Sequence, residues 1–434
     1  MGGEKDSPQV LGSSLFPKIF RAFRIAIAPS KLMIAFSALV IICLAGWIMD
    51  FGKTVVITPD TQGQETELQI YADDPGQLQS YIKHYKDGER AGVFSTLWNF
   101  TAARFHGALY SLLLFDLPSV KANIVDYPKA VKWVLRYHFL YCVIFFLIAL
   151  AVTSVAGGGI CRIAALEFAR GEKPGLTESL RFSTKKFASF FFTPLAMVGI
   201  IIFVALFALL LGLIGNIPRI GELIVGICAL LVLAAGALTA VVLVGTVAGF
   251  NLMFPAVAYD GSDCFDAISR SFSYVYAKPW RMGFYTAIAA VYGAVCYVFV
   301  RFFAFLLLWS ARLPLDIGVF VQNSNEADKL SAIWPRPSFT NLLGPSGPAA
   351  SNWCESVAAF IVYLCLLVVV ALVVSFVISF YFSANTIIYS LMRNRVDGTA
   401  LDDIYIPPEE IKTEPAAESQ SKPEEESPPQ QPQE

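Results

Sequence analysis

Six long apolar stretches constrain this chain more than any other feature of its sequence. They occupy residues 31–50, 137–157, 189–214, 222–250, 283–310 and 356–390. A helix needs about 18 or more apolar residues to cross roughly 30 Å of hydrocarbon, and a soluble core helix has no need of such length. The sequence therefore predicts an all-α polytopic membrane protein with six transmembrane helices. The composition agrees, because 56% of the 434 residues are hydrophobic and leave too little polar surface to coat a soluble globule.

Lysine and arginine gather in four segments that fall on one side of the membrane if the chain crosses it six times. These segments are a leader at 1–30, two elbows at 158–188 and 251–282, and an elbow remnant at 391–406. The outer loop at 311–355 has few basic residues. Since short basic segments stay in the cytoplasm, the sequence predicts a multi-pass protein of the cell inner membrane with both termini cytoplasmic.

Residues 51–136 read as a small α+β insertion on the outer side. Two β-like runs at 54–58 and 67–71 are separated by turn residues and predict a hairpin. The apolar run at 93–115 is interrupted by Asn99, Arg104 and His106. These polar residues favour an interfacial helix, although a re-entrant segment or a seventh crossing stays open.

The end of the chain differs in composition from everything before it. Residues 407–434 contain seven prolines and eight glutamates against two lysines, and they contain no aromatic residue. Such a segment buries too little apolar area to offset its ordering entropy, so we expect a disordered acidic tail. A soluble protein is a possible partner for it, beside the lipid bilayer itself; nothing indicates nucleic acid, and the sequence does not indicate an oligomeric state.

The cytoplasmic connections share a local pattern of a glycine followed shortly by an acid. The pairs are Gly171 with Glu178, Gly261 with Asp266, and Gly398 with Asp402. Glycine permits a positive φ where a helix ends, a nearby hydroxyl can cap the next helix, and an acid in its first turn meets the positive end of the helix dipole. The pattern predicts three turns of one kind.

Prolines extend this pattern to the starts of the odd-numbered spans. Pro29, Pro194 and Pro279 each follow a basic amphipathic stretch of the kind that lies in the headgroup layer, and each is predicted to open a helix. We interpret the chain as three parallel repeats, each made of an elbow, an outward span and a returning span. Their axis would run along the membrane normal.

Candidate chemistry in the sequence is sparse. His84, His106 and His138 lack metal-ligand spacing and are expected to be structural. The eight cysteines include no CxxC pair, so small buried hydrophobes are the expected role. We predict no catalytic, cofactor-binding or metal-binding residue, and no cofactor.

Two other groups have ordinary structural interpretations. Glu167 is predicted to form a surface ion pair with Arg162 or Arg170. Ser375, Ser379 and Ser383 recur at helical spacing, which favours close helix packing, with a polar path as the alternative.

Arg301 is the one formal charge deep within a span. Its long side chain could reach the headgroups, or it could stay below the surface and need a partner. The nearest carboxylates by topology are Glu222 and Glu355, at the outer starts of two other spans. We therefore expect an intramembrane ion pair between Arg301 and one of them.

A family resemblance rests on one cytoplasmic connection. The run Asp260-Gly261, Asp266 to Ser271 and Trp280-Arg281 resembles a motif of largely uncharacterised bacterial polytopic membrane families. One of them is the membrane domain attached to some glycerophosphoryl diester phosphodiesterases. The resemblance implies a membrane domain without the catalytic barrel, for which this chain has no matching motif.

The function predicted from all this is that of a non-catalytic membrane scaffold or accessory factor. One alternative is a transporter or lipid-handling protein that uses the axis between the repeats. A membrane-embedded enzyme is the second alternative. A scaffold should have a closed bundle, a transporter a continuous polar cavity, and an enzyme a cluster of ionisable groups in a pocket.

Overall fold

The computed structural model describes residues 15–60, 63–85, 88–218, 220–318, 329–345 and 352–406; the predicted tail at 407–434 lies outside them. A 3-10 helix at Phe16–Phe20 precedes the α-helices. In chain order these are α1 (Arg21–Ala26), α2 (Pro29–Met49), α3 (Glu67–Asp73), α4 (Leu78–His84), α5 (Val93–Leu113), α6 (Leu117–Tyr137), α7 (Phe139–Ala169), α8 (Leu176–Lys185), α9 (Phe187–Gly215), α10 (Ile220–Ile227), α11 (Ala229–Asp260), α12 (Cys264–Ala277), α13 (Pro279–Gly318), α14 (Lys329–Ile333) and α15 (Trp353–Asp397). Six of them, α2, α7, α9, α11, α13 and α15, are long and apolar enough to cross a membrane. The predicted class, a mainly helical chain with six helices that could span a membrane, is confirmed at this level.

The long helices extend past the predicted spans. α7 continues to Ala169, so the first part of the predicted elbow at 158–188 is still helix, and α13 runs to Gly318 into the predicted outer loop. The predicted span at 222–250 is broken at Cys228, between α10 and α11. Hydropathy falls where a helix leaves the hydrocarbon, but backbone hydrogen bonding continues until the sequence stops it.

Glycines stop three of these helices. Gly171, Gly261 and Gly398 have φ of +76°, +65° and +71° and follow the ends of α7, α11 and α15, as predicted. Glu178 and Asp266 lie in the first turns of α8 and α12, whereas Asp402 lies in a turn that starts no helix. Capping by a hydroxyl is wrong, since the N-cap residues of α8 and α12 are Gly175 and Asp263 and neither makes a side-chain cap.

The proline prediction holds at two of its three positions. Pro29 and Pro279 are the first residues of α2 and α13. Pro194 is inside α9, which begins at Phe187, so the prediction for it is wrong. Phe190 and Thr193 are almost fully buried. Their packing keeps the turns before the proline helical.

The C-terminal ends of α7, α11 and α15 all contact one another and form the densest part of the core, which we name the hub. Its helices bury long runs of side chains, including Ile160 to Phe168, Leu252 to Tyr259 and Ala384 to Met392. Aromatic rings fill its centre: the Phe254 ring lies 5.4 Å from that of Phe190 and 5.7 Å from that of Phe382. The hub is therefore a closed, packed structure.

Apolar helices that follow one another in the chain pack in pairs, α2 along α7, α9 along α11, and α13 along α15, and α15 also packs along α2 and α11. Each short helix that precedes a pair packs on the pair before it in the chain: α8 on α7, and α12 on α11 and α9. The 3-10 helix and α1, which precede the first pair, pack instead on α15 and α13 of the last pair. A hydrogen bond from Ser379 Oγ of α15 to Ala26 O of α1, at 2.7 Å, joins the two.

The ends of α9 and α11 away from the hub are packed much less. Phe203, Leu230 and Leu233 are 73%, 77% and 70% exposed. Exposed apolar side chains on every face are expected where lipid is the solvent.

The insertion between α2 and α7 contains a sheet of three antiparallel strands in the order β2-β1-β3, formed by β1 (Val55–Asp60), β2 (Gly63–Thr66) and β3 (Glu89–Ala91). Ile57 lies opposite Thr66, and Val55 opposite Ala91. The predicted strand at 54–58 is confirmed. The predicted strand at 67–71 is wrong, because Thr66 and Gln69 form a capping box that starts α3 there.

Candidate functional site

A buried ion pair links the first apolar helix to the hub. Lys31 Nζ lies 2.6 Å from Glu167 Oε2, and the lysine side chain is fully buried. The predicted surface pair between Glu167 and Arg162 or Arg170 is therefore wrong. The reason is that α7 stays helical and packed as far as Ala169, which buries Glu167.

Asp260 is the centre of a second charged cluster, at the end of α11. Its carboxylate lies 3.1 Å from Arg393 Nε and 3.2 Å from Arg270 Nη1, and it accepts a hydrogen bond from the Tyr389 hydroxyl. Tyr274 OH donates to Asp397 Oδ2 at 2.5 Å; burial, reinforced by that carboxylate, raises the pKa of Tyr274. The cluster joins α11, α12 and α15 by charge-assisted hydrogen bonds.

The segment 399–406 folds back over the hub, and we name it the C-terminal clamp. Tyr405 N donates to Tyr259 O at 3.0 Å, and Tyr405 O accepts from Arg162 Nη1 at 2.7 Å. Arg393 binds the carbonyl and the carboxylate of Asp403 at 2.7 and 3.0 Å. Gly261 leaves room for this segment, since a Cβ there would lie 2.5 Å from the Tyr405 ring.

Arg301 lies in a polar cluster far from the hub, with only 9% of its surface exposed. Its Nε donates to Phe339 O at 2.8 Å and its Nη2 to Thr340 O at 2.7 Å. Its Nη1 lies 2.6 Å from Tyr297 Oη and 2.5 Å from His106 Nε2. Arg301 thus joins α13, α5 and the segment around residue 340, and sequence reasoning missed all of these partners.

His106 is held in one tautomer by this cluster. Its Nδ1 lies 2.7 Å from Ala102 O, which accepts only, so Nδ1 carries the proton and Nε2 accepts. Burial lowers the pKa of His106, and the Arg301 guanidinium lowers it further. The neutral ring is the form that fits.

The predicted pairing of Arg301 with Glu222 or Glu355 stays a prediction. Glu355 is buried in the first turn of α15, and its backbone N–H bonds to Asn352 Oδ1 at 3.0 Å. Glu222 lies in α10, and its side chain is outside the described part of the structure.

The remaining candidate residues lie in different surroundings. Ser375, Ser379 and Ser383 are fully buried, and the first two bond to carbonyl oxygens, which agrees with helix packing. Cys161 and Cys296 are buried, whereas Cys354 and Cys365 are exposed, so the expected cysteine burial holds only in part. Burial also lowers the pKa of His138, between α6 and α7, and the His84 ring lies 4.7 Å from that of Tyr85.

The described residues of these clusters are held by ion pairs and by hydrogen bonds to backbone carbonyl oxygens. Among them there is no group of three or more His, Cys, Asp or Glu side chains placed to hold a metal ion. Asp260 and Arg393 could have been suspected from the sequence as charges at the ends of long apolar helices, but nothing in their spacing pairs them. We compared the chain with protein families, curated proteins and solved structures, and none of the three comparisons gave a match.

Proposed function

We propose that this chain is a non-catalytic membrane scaffold or accessory factor. The observation that carries this proposal is the closed hub, in which the rings of Phe190, Phe254 and Phe382 fill the space between the helix pairs. A transporter that used this axis would need a continuous polar path through the hub. Hydroxyls of the hub such as those of Ser183, Ser379 and Thr386 donate to backbone carbonyl oxygens instead.

The packing of the short helices supports three parallel repeats. Each elbow lies on the preceding helix pair, and the leader lies on the last pair, so that the three units follow one another in a closed ring. The three glycine turns at Gly171, Gly261 and Gly398 occupy equivalent places in that ring. Neighbouring repeats would stabilise one another in the same way at each junction.

The orientation in our proposal follows the basic residues. Arg170, Lys173 and Arg281 lie near the hub end, which we assign to the cytoplasm, and this assignment places the insertion at 51–136 on the outer side. Both termini are then cytoplasmic, in the inner membrane. The acidic segment at 407–434 would present a soluble partner with a binding segment, and the resemblance to the phosphodiesterase-associated membrane domain belongs to this proposal too.

The native cysteines test whether the hub is closed. Wild-type protein in lipid nanodiscs is treated with a membrane-impermeant maleimide, and each cysteine is then assayed by peptide mass spectrometry. Cys161, fully buried between α7 and α15, should stay unmodified until the protein is unfolded, whereas the exposed Cys354 should react. Modification of Cys161 in the folded protein would reveal an aqueous path and contradict the scaffold.

A scaffold must also contact a protein. A photo-crosslinking residue at the exposed Gln79 or Tyr85 of the insertion should give discrete protein adducts in cells, and one at the apolar, exposed Ile48 should not. If neither position of the insertion forms an adduct, the insertion does not dock a partner.

A further inference from the structure

Helix α6 exposes a row of large apolar side chains. Leu117, Ile124, Val131 and Leu135 are 66%, 54%, 54% and 43% exposed. Their spacing places them on one face of the helix, since positions 7, 14 and 18 apart recur after whole turns. We name this row the apolar stripe.

The opposite face of α6 is already occupied. Ala130, Trp133 and Val134 are buried in the core of the insertion, with Tyr71 and Phe100. The helix is therefore fixed in its rotation about its own axis. Because the opposite face is buried, the apolar stripe faces away from the domain.

Basic side chains border the apolar stripe. Lys121, Lys132 and Arg136 are exposed along one flank of the stripe on α6, with Lys121 nearest to it in helical projection and Arg136 farthest from it. An apolar row with a basic border is complementary to a bilayer surface: aliphatic groups enter between the headgroups, and cations meet their phosphates.

The apolar surface continues at both ends of α6. The turn before it exposes Leu114 and Phe115 at 61% and 77%, and the helix after it exposes Phe139 and Leu140 at 63% and 72%. Phe139 and Leu140 begin α7, one of the six apolar helices. His138, between α6 and α7, leaves helical geometry with φ −133° and ψ 45°, so the chain turns there.

We propose that α6 lies in the headgroup layer of the membrane that α7 enters, with anionic phospholipid as its partner. The apolar stripe is immersed, and Lys121, Lys132 and Arg136 bind the lipid phosphates. The interfacial role expected for 93–115 thereby moves to the next helix. α5 is instead held between α6 and α13 and supplies His106 to the Arg301 cluster.

Fluorescence quenching in nanodiscs tests the immersion. A fluorophore is attached through an encoded azide-bearing residue at Val131, so that the native cysteines stay untouched, and the bilayer contains lipid with a quencher near its headgroup. Quenching at Val131 should match that at Ile48, on the lipid-facing end of α2. A probe at Ala122, exposed on a different face of α6, is the matched control and should respond only to an aqueous quencher.

A response of Val131 only to the aqueous quencher would overturn the proposal. So would protection from both quenchers, because that result would place a protein, such as a second copy of the chain, on the stripe. Lipid charge gives the second arm: adding phosphatidylglycerol to phosphatidylcholine should increase the lipid quenching at Val131. Replacement of Lys121, Lys132 and Arg136 by Gln should abolish that increase, and an unchanged increase would remove anionic lipid as the partner.

Discussion

The hub and the far ends of α9 and α11 are built from equally apolar helices but are packed in opposite ways. Only 6% of the most apolar stretch of α9 is buried within the protein, whereas the hub buries the runs Ile160 to Phe168, Leu252 to Tyr259 and Ala384 to Met392. At the hub, Gly158 and Gly249 bring helices into contact, and Asp260 and Glu167 are neutralised by buried cations. Hydropathy indicates whether a helix lies in lipid or in water. Small residues and paired charges indicate where the helix packs against another helix.

The largest effect should come from Asp260→Asn. The change leaves Arg393 and Arg270 facing a neutral amide at the edge of the hub, and breaking a buried pair from one side costs about 3–5 kcal/mol. Unfolding in mixed micelles measures this loss in the free energy of unfolding. Asp266→Asn is the control, since its pair with Arg270 is partly exposed and is worth up to about 1 kcal/mol. Equal losses of stability in the two variants would mean that the buried Asp260 cluster stabilises the fold no more than an exposed ion pair does.

A pair of glycine variants compares the hub with α9 directly. A Cβ at Gly158 would lie 2.4 Å from Ser183 Oγ and 2.7 Å from the Phe190 ring, so Gly158→Ala should destabilise the fold by about 1–3 kcal/mol. At Gly199, in α9, a Cβ meets nothing within 4 Å. Gly199→Ala should be neutral or stabilising by up to about 1 kcal/mol in the same unfolding assay. If both variants destabilise alike, α9 is packed against something.

Arg301→Met tests whether polar contacts stabilise the far end of α13, in contrast to the loosely packed far end of α9. The variant deprives Phe339 O and Thr340 O of their donor and should cost about 1–2 kcal/mol. A double-mutant cycle with Glu355→Gln and Glu222→Gln asks whether either glutamate also pairs with Arg301. Strict additivity in both cycles would remove the predicted ion pair, and a neutral Arg301→Met would remove the anchor itself.

The smallest effect is the pH dependence that His106 gives to the stability of the fold. Its pKa in the folded protein is below the ordinary value of 6.5, so the neutral ring stabilises the fold above that pH, and the contribution is lost as the pH falls below it. The wild type should lose stability on acidification more than His106→Gln does. Thermal unfolding at a series of pH values gives the difference, and parallel curves would show that His106 does not contribute.

The sequence is informative about this fold where a single residue decides the outcome. Gly171, Gly261 and Gly398 predicted positive φ at helix ends because few other residues adopt it. The basic neighbours of Glu167 in the sequence predict a surface position, yet its partner is Lys31, far away in the chain. Partners such as His106 and Arg301 are likewise set by packing, which periodicity does not encode. The predicted strand at 67–71 is the helix α3, because the capping box of Thr66 and Gln69 starts a helix there in spite of the β-like residues that follow.

Distances between the three glycine turns test the closed ring of repeats most directly. Spin labels are placed in pairs at the exposed Lys173, Asp263 and Asp402, one beside each turn, and pulsed electron paramagnetic resonance is recorded in nanodiscs. A rigid hub predicts one narrow distance distribution for each pair, with three similar mean distances that do not change with pH or salt. Two populations, or a mean that shifts with conditions, would show a hub that opens and would contradict the scaffold.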